Sequence, residues 1–110
     1  MSKPPDDASL IQMEREVLRA LCQGTREGSV RESAKRVLRR YRWRQPMHQV
    51  IYEVVVSLPS DAPEAVREHL PSRLTRCGFP DVRWEDFFAP PALSKKAAQR
   101  LMRALSNPAS

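Results

Sequence analysis

The stretch Val50-Ile51-Tyr52-Glu53-Val54-Val55-Val56 decides the fold. Its β-branched residues suit a strand. Yet Met47, Val50, Ile51, Val54, Val55 and Leu58 recur at the three- and four-residue steps of a helix face. No second segment reads as a strand to pair with it, and a lone strand would leave its backbone N–H and C=O groups unmatched. The spacing therefore predicts a helix over 47–58. Pro46 suits its first turn, where no N–H is needed, and keeps Gln45 out of helical geometry; Pro59 stops it. With this segment helical, nothing else demands a sheet. The expected fold class is all-α, a small orthogonal bundle of about five helices.

Working outward, Ser29-Val30-Arg31-Glu32 has the form of a capping box. Val30, Ala34, Val37, Leu38 and Tyr41 follow as one apolar stripe, predicting a helix over 29–41. Arg31, Lys35, Arg36, Arg39 and Arg40 fall around the rest of that helix. Upstream, Ser9-Leu10-Ile11-Gln12 is a similar start, with Leu10, Met13, Val17, Leu18 and Leu21 on one face and Gly24 as terminator. Downstream, Asp61-Ala62-Pro63-Glu64 opens a helix with Ala65, Val66, His69 and Leu70 on one side. Pro71 is expected to kink or end it, leaving a further turn over 72–77 closed by Gly78. Phe79, Trp84, Phe87 and Phe88 predict an irregular segment packed by its aromatics, with a helical turn near 84–88. Ser94 caps a last helix, with Ala97, Ala98, Leu101, Met102 and Leu105 inward. Residues 1–8 read as a disordered leader and 107–110 as a tail, leaving one domain over 9–106.

A chain of 110 residues supports one core. No apolar run approaches the ~20 residues that span a bilayer, so no membrane partner is expected. The first residues lack the apolar stretch of a signal peptide, and the reading is cytoplasmic. Cys22 and Cys77 form no Cys-x-x-Cys motif and are expected as free thiols in or near the core. Gly24, Gly28 and Gly78 sit at helix ends and turns and make no phosphate loop. His48 and His69 stand alone, away from any metal-ligand spacing. The neighbouring acids Glu85 and Asp86 point apart, as adjacent residues do, and Cys77-Gly78 reads as a helix-end thiol. No catalytic residue and no cofactor are expected, and the chain is read as a non-enzyme, with a small enzyme or enzyme subunit whose site needs another chain as the rival.

The chemistry that remains is charge. Between positions 26 and 44 stand Arg26, Arg31, Lys35, Arg36, Arg39, Arg40, Arg42 and Arg44, opposed only by Glu27 and Glu32. This segment alone carries the net charge of +6. Arginine meets phosphate through a planar fork of donors, and aromatic rings stack on exposed bases. Lys35, Arg36, Arg39, Arg40, Arg42, Trp43 and Arg44 are therefore the candidate nucleic-acid-binding residues. The same patch also fits an acidic protein partner, or a solvated face with Tyr41 in the core and Trp43 closing a helix junction. The expected function is a non-enzymatic helical binding module, a DNA-associated adaptor or a protein-interaction domain. Homo-oligomerisation stays open.

A family resemblance accompanies these readings. Glu14-Arg15-Glu16-Val17-Leu18-Arg19-Ala20-Leu21 resembles the opening helix of the N-terminal domain of replicative DnaB-type helicases, where a Glu-x-x-Val-Leu-x-x-Leu pattern is typical. Met47-His48-Gln49-Val50-Ile51-Tyr52-Glu53 is similar to that domain's His-x-x-Ile-Tyr/Phe-x-x-Ile segment, and residues 70–78 to its next helix end. The resemblance spans roughly residues 10–80. It implies an all-helical module that docks primase or pairs with itself. It implies no helicase activity, since no phosphate loop is present, and it carries over no catalytic residue.

Overall fold

A computed structural model of the chain describes residues 7–25, 27–60, 62–89 and 93–106. The remainder, including most of the expected leader, the tail, Arg26 and Asp61, lies outside the described residues. Among the described residues six helices follow one another: α1 (Asp7–Gln23), α2 (Arg31–Val37), α3 (Pro46–Ser57), α4 (Pro63–Arg76), α5 (Glu85–Phe88) and α6 (Lys95–Ser106). No strand occurs among the described residues, only an isolated bridge between Thr25 and Gly28. The all-α class holds, and the Val50–Val56 ambiguity resolves to helix. Among the described residues no helix is long and apolar enough to cross a membrane.

The first helix is the hub. It packs against α3, α4, α5 and α6; α3 also lies on α4, and α2 lies on α6. Its Leu10, Val17, Leu18, Leu21 and Cys22 are buried together with Ile51 and Val55 of α3, Leu70 and Leu74 of α4, Phe87 of α5, and Met102 and Leu105 of α6. Burying each such side chain is worth about 1.5–3 kcal/mol, so the hub owes its place to packing more than to intrinsic helix propensity.

Several boundaries differ from the sequence-based expectation. Helix α1 begins at Asp7, so the last two residues of the expected leader are helical and Ser9 lies inside the first turns. Ser29 Oγ accepts from the Arg31 N–H at 3.1 Å and not from the Glu32 N–H, and α2 starts only after Val30. Helix α2 also ends at Val37, short of Tyr41, because Tyr41 is needed elsewhere (below).

Pro71 was expected to kink or end helix α4; the helix does not end there but runs on through it. An internal proline removes one backbone hydrogen bond and costs about 3 kcal/mol. Val66, Leu70 and Leu74, spaced along one face on both sides of Pro71 and all fully buried, outweigh that cost. The expected separate turn over 72–77 is the end of this helix. It closes with Gly78 at φ +95°, a conformation that favours glycine, as the Gly78 N–H donates to Thr75 O at 3.1 Å and the Phe79 N–H to Leu74 O at 2.8 Å.

The burial pattern brings further corrections. His69 and Cys77 are exposed, so Cys22 alone of the two thiols belongs to the core. Ala97 and Leu101, expected to point inward, are half-buried, because Ala98, Met102 and Leu105 form the face that meets α1 and α2. The cap of α6 is as expected, with Ser94 Oγ accepting from the Ala97 N–H at 3.1 Å.

Candidate binding cleft

The site is built around a carboxylate that belongs to the core. Glu14 is 0% exposed in the middle of α1, and His48 on α3 is 1% exposed. Glu14 Oε2 accepts from the Tyr41 hydroxyl at 2.5 Å and from the Arg44 backbone N–H at 2.7 Å. Glu14 Oε1 lies 2.8 Å from His48 Nδ1, which donates, since a carboxylate oxygen has no proton to offer. Burial alone would raise the Glu14 pKa; the hydrogen bonds from His48, Tyr41 and the Arg44 backbone overcome it and hold the carboxyl below its ordinary value. Burial first, and then the bond to Glu14, push the Tyr41 phenol up, so it remains the donor; the Arg44 guanidinium acts in the opposite sense.

This arrangement explains why α2 stops early. A helix continued through Tyr41 would carry the phenol and the Arg44 N–H away from Glu14. Taking two of its three donors from a buried carboxylate costs several kcal/mol, which offsets the few hydrogen bonds that another helical turn would add at about 1 kcal/mol each. The chain instead makes a turn at Leu38, with Tyr41 N–H donating to Leu38 O at 3.1 Å, and reaches Gln45 in extended geometry. The expected basic helix is thus a short helix followed by a non-helical basic segment, residues 38–45.

On the outer side of that segment lies a cleft of about 470 Å³, lined by Leu38, Arg39, Tyr41, Arg42 and Trp43 and, across from them, by Gln49, Tyr52 and Glu53 of α3. The Trp43 ring sits between two tyrosines. Tyr41 meets it edge-on, with centroids 5.0 Å apart and an interplanar angle of 87°, and Tyr52 lies tilted at 5.2 Å and 38°. Both tyrosine hydroxyls are turned to the interior, Tyr41 to Glu14 and Tyr52 to Ala34 O at 3.3 Å. Burial raises the Tyr52 pKa as well. On the far wall, Gln49 Nε2 donates to Glu53 Oε1 at 3.1 Å.

Of the candidate residues, Arg39, Arg42 and Trp43 meet in the cleft. Lys35, Arg36, Arg40 and Arg44 do not line it but lie exposed on the same stretch. Lys35 is 3.9 Å from Glu32, whereas Arg36, Arg39, Arg40 and Arg42 form no ion pair among the described residues. Arg31 is withdrawn from the patch: its Nη1 donates to Val55 O at 3.2 Å and to Leu58 O at 2.7 Å, capping α3. Sequence reasoning missed Glu14 and His48, and it missed Gln49, Tyr52 and Glu53 as a cleft wall. His48 is not the solitary histidine it resembled.

The chain is a small all-α protein in which the buried Glu14 and His48 are joined to the partly buried Tyr41. No protein-family model, curated protein or solved structure matches it.

Proposed function

We propose that this protein is a non-enzymatic helical module that binds single-stranded nucleic acid through the cleft between residues 38–44 and α3. The observation that carries the reading is the meeting, in one cleft, of a Trp43 ring flanked by two tyrosines with the unpaired guanidinium groups of Arg39 and Arg42. Stacking on an aromatic ring suits unpaired bases, which expose their faces, and arginines at the rim suit the adjoining phosphates. Arg36, Arg40 and Arg44 extend the positive field along the approach. The non-enzymatic reading rests on where the titratable groups are: Glu14, His48 and Tyr41 are spent on one another inside the fold.

The test is fluorescence anisotropy of labelled single- and double-stranded DNA at several salt concentrations. Contact with about four to six phosphates of a single strand gives a log–log salt slope of roughly −3 to −4. Single strands should bind more tightly than duplex, and changing Arg36, Arg39, Arg40 and Arg42 together to Glu should remove the binding. Absence of binding at low salt would overturn the reading.

A second reading has its own observation. Leu93, Ala97, Leu101 and Ala104 line an apolar groove of about 360 Å³ on the outer side of α6, with Arg100 beside it. Every charged residue of α6 is a cation, so the partner that fits there is an acidic amphipathic helix. An interaction module of this kind is also what the resemblance to the DnaB-type N-terminal domain implies.

A further inference from the structure

The far wall of the cleft is not basic. A site that held only a sugar–phosphate backbone has no use for a carboxylate, yet Glu53 lines this one beside Gln49. Glu53 is exposed on α3 and is not needed to hold the fold. The pair has a defined polarity. Gln49 Nε2 donates to Glu53 Oε1 at 3.1 Å, and the opposite amide orientation would set a carbonyl oxygen against a carboxylate. The second Nε2 hydrogen of Gln49 remains to be given, and Glu53 keeps free acceptor sites on both oxygens. Next to the aromatic rings the wall therefore presents acceptor, acceptor, donor.

The nucleobases differ in how they answer that pattern. The Watson–Crick edge of guanine carries two adjacent donors, N1–H and the N2 amino group, followed by the O6 acceptor. Adenine offers one donor beside an acceptor, cytosine one donor beside two acceptors, and thymine or uracil one donor between two acceptors. Guanine alone matches both Glu53 and Gln49. A cationic guest would also be drawn to aromatic rings and a carboxylate, but Arg39 and Arg42 on the opposite wall repel it.

We propose that the cleft selects guanine in a single strand, with the base against Trp43, N1–H and the N2 amino group donating to the Glu53 carboxylate, and Gln49 donating to O6. This rests on the nucleic-acid reading above. Two adjacent hydrogen bonds to one base edge discriminate by roughly tenfold or more.

The experiment compares short oligothymidylates that carry one central guanine, hypoxanthine or adenine, by anisotropy at fixed low salt, on wild-type protein and on Glu53→Gln. The guanine strand should bind roughly tenfold more tightly than the all-thymine strand. Hypoxanthine, which lacks the N2 amino group, should recover part of that gain, and adenine none. Glu53→Gln should erase the guanine advantage, so that on this variant the guanine and all-thymine strands bind with equal affinity. Equal affinities across the strands, or a guanine advantage that survives in Glu53→Gln, would overturn the selectivity and leave nucleic-acid binding standing. Failure of every strand to bind would remove both.

Discussion

Replacing Glu14 by leucine takes one acceptor away from three donors at once, the His48 ring, the Tyr41 hydroxyl and the Arg44 N–H. Removing one partner of a buried pair costs about 3–5 kcal/mol, because the other partner stays behind. Urea unfolding of Glu14→Leu at neutral pH should show a loss of that size. The same variant tests the pH dependence. The Glu14 carboxyl is held below its ordinary value of 4.5, so as pH falls the unfolded chain takes up this proton before the folded one does. Its stabilisation is complete above that ordinary value and is lost as pH falls through the lower folded one. The acid limb of stability should therefore be shallower in Glu14→Leu than in wild type. Much of this was written in the sequence. Glu14 stands in phase with Leu10, Val17, Leu18 and Leu21, and His48 in phase with Ile51 and Val55. A polar residue on the apolar face of one helix and another on the apolar face of a second is the signature of a buried pair.

At the scale of elements, the existence and type of most helices were legible from spacing and caps, and their ends were not. The stripe from Val30 to Tyr41 obeys helical periodicity, yet α2 yields its last turn because Glu14, distant in sequence, requires Tyr41 and Arg44. Pro71 errs in the other direction: a local rule ends the helix there, and burial of Leu70 and Leu74 carries it on. That conflict gives a prediction. Pro71→Ala restores the N–H that the Arg67 carbonyl lacks and should raise unfolding free energy by about 1–3 kcal/mol, read from chemical denaturation, with the circular dichroism spectrum still helical. The cleft wall was hidden for a related reason. Gln49, Tyr52 and Glu53 share the outer side of α3, and only the path of residues 38–45 turns that side into a site.

For the whole molecule, the packing of α1 against four other helices predicts that it opens only with the rest of the fold. Cys22 sits on that helix with no exposed surface, and burial pushes its thiol up to about 12. Cys77 is exposed. An aromatic disulfide reagent at mildly alkaline pH should therefore titrate one thiol in the native protein and two in denaturant. Labelling of Cys22 should follow the free energy of global unfolding and shift with it in Glu14→Leu and Pro71→Ala. Reaction of Cys22 at a rate insensitive to both substitutions would show that α1 opens locally.

The residues that line the cleft all fall between positions 38 and 53, but the carboxylate that orders them is Glu14, on another helix. A peptide copied from 38–53 would reproduce every contact residue and none of the scaffold. The proposed recognition is therefore not a portable arginine-rich tract that can be grafted onto a tail or linker. On that reading it is inherited only with the whole domain, and a search by linear motif would pass over it.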